Sequence, residues 1–295
     1  MHIQLLGIPS WAGGEYSGTE LAPKHLRAAG LIPTLAEKGI RLNDLGDLPL
    51  PEAQPRHNIP PIRHWPAPRM IWGALTQAGD NFFQHTDDTF TLLLGGDCSL
   101  IVGSVDALHR QHGDDLYVLV VDGHVDTYQP KADNCVGAAA MGLYFLLSDT
   151  QWWPKPQGFD ASHVKVIGHH EEPEDGLGIE SIDYNRLRRQ GIVETLRQTL
   201  SDLPDRAKIL VHFDIDVMHK GDMPAAYEPS QVGLFLSEAQ QTMSTLLADR
   251  RVIALELTEF SALRDPDQTC AKALNTLLAE AFAARMATNK IDNIS

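Results

Sequence analysis

The sequence predicts an α/β fold of three layers, α/β/α, with a central, mostly parallel, doubly wound sheet. Three observations predict it. Six short runs are continuously apolar, the pattern of strands buried on both faces of a parallel sheet. Amphipathic segments fall between those runs, so strand and helix alternate along the chain. Three of the runs end in acidic residues, and a parallel sheet places its ligand site outside the carboxyl ends of its strands.

The predicted strands, in order, lie in residues 2–8 (HIQLLGI), 91–97 (TLLLGGD), 116–123 (LYVLVVDG), 163–170 (HVKVIGHH), 208–216 (KILVHFDID) and 251–260 (RVIALELTEF). Helical patterns occupy 100–111, 137–149, 192–203, 237–249 and 271–285. The proline-rich stretch from Pro49 to Pro68 reads as an internal surface loop, because regular patterns resume on both sides. No internal repeat or low-complexity segment breaks the chain. A single domain over residues 1–295 is the economical expectation, with disorder confined to the tail after Arg285.

Composition narrows the partners. The 295 residues carry 24 Lys and Arg against 39 Asp and Glu, a formal net charge of -15. A chain this negative repels phosphate backbones, which argues against nucleic acid and anionic membrane as partners. The N-terminus lacks the basic region of a signal peptide, and no run approaches a membrane span. Cys98, Cys135 and Cys270 are odd in number and widely spaced, which argues against a disulfide framework and for a reducing, cytoplasmic setting.

Chemistry concentrates at the strand ends. In Asp122-Gly123-His124-Val125-Asp126 the three polar residues alternate, so on an extended chain all three face one side. Asp214 and Asp216 repeat the device after the next acidic strand. Carboxylates gathered this way repel one another unless a cation lies between them. Oxygen donors plus an imidazole suit two divalent ions, with Mn favoured and Co, Ni, Fe or Zn as alternatives. Each D-x-D taken alone also reads as a strand-end turn with solvated acids. The third element, Gly95-Gly96-Asp97-Cys98-Ser99, is by itself a tight turn or an anion-binding helix start.

Together these segments resemble the arginase and agmatinase (ureohydrolase) family, whose blocks run GGDHS, DAHxD and SFDxDxxDP. The likeness extends to LGIPSWAGGEYSGTELAPKHLRAAGL, to LNDLGDLPLPE and to LELTEF, so it covers most of the chain in order. It implies an arginase-like fold, trimeric or hexameric assembly and a binuclear metal amidinohydrolase. Carried over by motif, Asp122 and Asp214 bridge two ions, Asp126 and Cys98 complete one, and His124 and Asp216 complete the other. Asp97 stands behind them. Asp126 and Glu259 are the catalytic carboxylates, with Glu259 also pairing with the substrate guanidinium. Metal coordination makes water a nucleophile at neutral pH, here toward the planar guanidinium carbon.

The chain departs from the family pattern at several points. Cys98 stands in place of a metal-binding His; a thiolate favours softer ions and weakens the metals as Lewis acids. Family members acting on N-hydroxyguanidines are similar in carrying Cys there, which points to the Nω-hydroxy-L-arginine amidinohydrolase branch. Gly123 replaces Ala, which is expected to be harmless. Val136 falls near the place of a proton-shuttling His, with His219 as a candidate substitute. The DP after the second cluster is lost. In the loop that recognises the amino-acid end of a substrate, Tyr128 replaces an Asn, and Glu172 matches an acid that receives the α-amino group, with Glu171 or Glu174 as alternatives. The expectation is release of urea or hydroxyurea and an amine such as ornithine, from an N-hydroxyarginine-type substrate. Hydrolysis of another amidine (arginine, agmatine, a guanidino acid or formiminoglutamate) and a non-catalytic arginase-like protein are the alternatives.

Overall fold

A computed structural model describes residues 2–52, 54–82, 89–172 and 176–292. Among these residues eight strands form one sheet: β1 His2–Gly7, β2 Arg41–Asp47, β3 Thr89–Leu94, β4 Leu116–Val121, β5 Val164–Ile167, β6 Glu180–Ile182, β7 Lys208–Asp214 and β8 Val252–Thr258. Their order is β2-β1-β3-β8-β7-β4-β5-β6. Every pairing is parallel. Among the described residues nine α-helices flank it: α1 Ala22–Ala28, α2 Leu31–Glu37, α3 Ala67–Phe82, α4 Ile101–His112, α5 Gly142–Leu147, α6 Tyr184–Gln190, α7 Ile192–Ser201, α8 Leu236–Ala248 and α9 Thr269–Asp292.

Two buried clusters fill the space on either side of the sheet, as a three-layer fold requires. One joins Ile3, Leu5, Leu92, Val211 and Phe213 to α1, α2 and α6 to α9. The other joins Leu6, Leu93, Val118, Val120 and Ala254 to α3, α4 and α5. Successive strand residues thus feed opposite cores, which is why these strands read as unbroken apolar runs. No helix among the described residues is long and apolar enough to cross a membrane.

All six predicted strands form. The two unforeseen ones, β2 and β6, are the sheet edges. β2 exposes most of its residues and β6 is three residues long, so neither carries an apolar run. Helices α1, α2, α3 and α6 were not singled out either. The tail expected to be disordered after Arg285 is helical, because α9 continues to Asp292. The Pro49–Pro68 stretch is irregular until α3 begins at Ala67, but it is not wholly a surface loop. Ile62 and His64 are buried, and Ile62 bridges Val136.

Candidate metal centre

Four adjacent central strands, β3, β8, β7 and β4, deliver the centre at their carboxyl ends. After β3 the chain turns through Gly95 and Gly96 into Cys98. The glycine pair is needed for packing: a Cβ on Gly96 would lie 1.7 Å from the Ser10 carbonyl oxygen. Asp97 ties neighbouring loops, accepting from Gly13 N at 3.0 Å and Ser99 N at 3.2 Å. After β8 comes Glu259, a non-glycine residue held at φ 60. Such a conformation persists only where surrounding contacts impose it. Here Glu259 N donates to Gly96 O at 2.9 Å and its carbonyl accepts from Tyr227 N at 2.8 Å. The Glu259 Oε1 in turn accepts from Cys98 N at 2.8 Å.

The two acidic clusters are indeed strand-end turns. Asp122 Oδ1 accepts from His124 N at 2.7 Å, and Asp214 Oδ1 accepts from Asp216 N at 2.7 Å. They are not solvated, however: Asp122, Asp214 and Asp216 are at most 3% exposed. The turns are interlocked, since Asp216 Oδ1 accepts from Gly123 N at 3.1 Å and Asp216 Oδ2 lies 3.0 Å from His124 Nδ1. Asp126 closes the loop at φ 52, its carbonyl accepting from Leu143 N at 3.1 Å at the start of α5.

Donor atoms converge in overlapping groups, each within 4.8 Å: Asp122, His124 and Asp216 in one, Cys98, Asp214 and Glu259 in a second. Two further groups contain residues that the motifs did not single out. They are Cys98, Asp122 and His212, and His124, His170 and Glu171. Cys98, His124, Asp126, Asp214, Asp216 and Glu259 line one cleft of roughly 170 Å³, with Val136, Tyr227 and Glu228 also on its wall. Tyr128, Glu171 and Glu172 line an adjoining depression of roughly 140 Å³ that shares His124 and Asp126 with the cleft. Glu174 lies outside the described residues. His219 does not belong to either wall; its ring packs on Phe235 at 4.9 Å and its Nδ1 accepts from Gly221 N. Gly123 is not an indifferent replacement for Ala. A Cβ there would sit 2.8 Å from His170 Cε1 and 2.9 Å from Asp216 Oδ1.

The electrostatics fit a cation site. Burial and the charge of Asp216 push Asp122 up to about 7. Burial and neighbouring carboxylates hold Asp126, Asp214 and Glu259 well above the ordinary carboxylate range. Burial and the adjacent Asp214 push the Cys98 thiol up as well. Burial opposes charge on His124, but Asp216, Asp122 and Asp126 outweigh it and raise the ring to about 11. Without a cation the cluster therefore holds protons, and the Cys98 thiol donates to Asp214. Asp122 Oδ2 and Glu259 Oε2 are buried with no hydrogen-bond partner. Buried oxygens left bare in this way are costly unless an ion or ligand meets them. The donor set thus fits divalent cations.

The geometry has counterparts among known proteins. The Arginase family model matches residues 1–284. Human Arginase-1 is 28% identical over 299 residues, covering 95% of this chain and 92% of that protein. The crystal structure of the Bacillus caldovelox arginase superposes with a TM-score of 0.82 at 24% identity, over 95% of this chain and 97% of that one. The Bacillus subtilis formimidoylglutamase structure gives 0.77 at 18% identity, over 97% and 87%. Below 25% identity these two structural matches speak for the fold.

Proposed function

The chain belongs to the arginase family of metal-dependent ureohydrolases, and from that footing we propose that it is a binuclear amidinohydrolase of an N-hydroxyguanidine, one domain over residues 1–295. The observation that carries the reading is the convergence of Cys98, Asp122, His124, Asp126, Asp214 and Asp216 at the ends of four neighbouring strands, with two carboxylate oxygens left bare. Two divalent ions fit this set, Mn first because oxygen donors dominate, with Co, Ni, Fe or Zn favoured more as the thiolate contributes. When bound, such ions supply Lewis acidity and activate water.

The residues divide the remaining work. Glu259 has one oxygen engaged by Cys98 N and the other free in the cleft, where it holds the planar guanidinium through N–H donors. Asp126 lines the cleft, where its carboxylate takes a proton from water and returns it to the leaving amine. Val136 lines that wall without a titratable group, so it offers no imidazole for the transfer. Tyr128 and Glu172 line the side depression, beyond His124 and Asp126, where the amino-acid end of an elongated substrate reaches. Thiolate donation from Cys98 makes the ions weaker Lewis acids. An N-hydroxyguanidine asks less of them, because its oxygen withdraws electron density from the carbon under attack.

The test is metal analysis followed by product analysis. Protein purified without chelator is expected to carry about two ions per chain. It should then release hydroxyurea from N-hydroxyarginine faster than urea from arginine or agmatine. Faster cleavage of arginine or agmatine would overturn the substrate assignment and leave the fold of the centre intact. Folded protein that takes up no Mn or Co, and stays inactive, would overturn the enzyme reading.

A further inference from the structure

We propose that His212 is an imidazole ligand to the ion on the Cys98 side of the centre, an inference that rests on the binuclear reading above. His212 lies in β7 two residues before Asp214, so on the extended strand the two share a side. It is 1% exposed, and its register partner on β8 is Glu256, itself fully buried. His212 Nδ1 lies 2.7 Å from Glu256 Oε2, which fixes the ring plane and turns Nε2 toward the centre. There, Cys98 Sγ, an Asp122 carboxylate oxygen and an imidazole nitrogen of His212 all fall within 4.8 Å of one another. The Oδ2 of Asp122, in the same place, has no hydrogen-bond partner.

A purely structural histidine buried this deeply is expected to satisfy both ring nitrogens. His212 satisfies one well. Its Nε2 has only a 3.4 Å contact with Thr258 Oγ1, which itself faces Cys98 Sγ at 3.3 Å. A carboxylate on one ring nitrogen and a metal on the other is the usual arrangement of a ligating histidine, since the carboxylate sets the tautomer and strengthens the donor. Charge argues the same way. The inner ion already faces the carboxylates of Asp122, Asp126 and Asp214 with a thiolate, and a neutral imidazole adds a donor without adding repulsion.

X-ray absorption at the metal edge of the full-length chain loaded with Zn counts imidazole and sulfur scatterers directly. His212→Gln is expected to lower the imidazole number by about half an imidazole per ion. His170→Gln, which changes the other histidine beside the centre, is expected to leave it unchanged. Metal analysis fixes the stoichiometry of each sample, and the spectra are compared at about two Zn per chain; a His212→Gln variant that holds only about one ion where His170→Gln holds two has lost the Cys98-side ion, which the proposal equally expects. If that variant does not fold, His212→Cys keeps a donor of smaller volume and should exchange a nitrogen scatterer for sulfur in the same spectrum. An imidazole count that is unmoved in the folded His212 variant with two ions bound overturns the proposal while leaving the binuclear reading in place. Wild-type protein that takes up no Zn at all overturns both.

Discussion

The two halves of the centre are built differently. The inner half, Cys98, Asp214, Glu259 and His212, sits where β3, β7 and β8 end, and each of these residues is at most 4% exposed. Its groups are tied to main chain or to one another: Glu259 to Cys98 N, Asp214 to Asp216 N, His212 to Glu256. The outer half is carried by the loop after β4 and by the segment after β5. Its His124 side chain is 27% exposed, and Tyr128, Glu171 and Glu172 open onto the side depression. Rigid, desolvated donors set how strongly ions are held, whereas an open rim sets what can reach them. The departures from the arginase pattern fall on both sides of this division. Cys98 lies in the buried part, whereas Val136 lines the cleft wall and Tyr128 and Glu172 the open depression beside it.

The sharpest way to break that division is to compare one carboxylate from each half. Asp214→Asn keeps the shape of an inner donor and removes its charge. It is expected to reduce bound metal to one ion or fewer per chain and to lower kcat/KM by roughly a thousand-fold or more, beyond the 10–100-fold typical of groups behind the ligands. Glu171→Gln, in the outer half and exposed, should change metal content little and kcat/KM only a few-fold. Metal analysis and steady-state kinetics on both variants decide it; equal losses would mean that the halves are not separable.

A second consequence concerns the protein stripped of metal. Asp122 titrates at about 7 when folded, against an ordinary value of 3.8, so the folded state keeps a proton that the unfolded chain gives up. Stability must then fall as pH rises through that window. His124 adds to the same slope: raised to about 11 from 6.5, its contribution is complete below 6.5 and is lost as pH climbs toward 11. Chelator-treated protein is expected to melt on the order of 10 °C lower at pH 7.5 than at pH 4.5. Saturating Mn should remove most of that slope, because the cation takes over from the protons. A metal-free Tm that rises across this range would show that the carboxylates do not face one another as the inner half requires.

What could be read from sequence follows the same division between inside and edge. The six strands with apolar runs were legible because both faces are buried, whereas β2 and β6 are edges whose residues mostly meet solvent. The alternation in 122–126 and 214–216 placed five donors on common faces, and the structure brings all five to one centre. The same parity reaches His212, but a histidine within an apolar strand reads as core until Glu256 is seen beside it. Tyr227 and Glu228 come from a loop tied to Glu259 by the Tyr227 N to Glu259 O bond, a link between distant segments that no local pattern reveals. The left-handed backbone at Asp126 and Glu259 was equally hidden, since neither is a glycine.

Gly123 shows how tightly even the open half is packed, and gives the smallest of the expected effects. Its N–H donates to Asp216 Oδ1 at 3.1 Å and its carbonyl accepts from His170 N at 2.9 Å, so the backbone is pinned on both sides. In Gly123→Ala the new methyl group would stand 2.8 Å from His170 Cε1 and 2.9 Å from Asp216 Oδ1. One of those groups must give way. The expected cost is about 1–3 kcal/mol of stability, with a few-fold loss in ion affinity if it is Asp216 that moves. Removing the ring relieves the clash, so Gly123→Ala combined with His170→Ala should be more stable than the sum of the two single changes. Thermal melts and metal titrations of the three variants measure both terms. Additive behaviour would mean that the outer half yields freely around residue 123, and that its openness extends to the backbone itself.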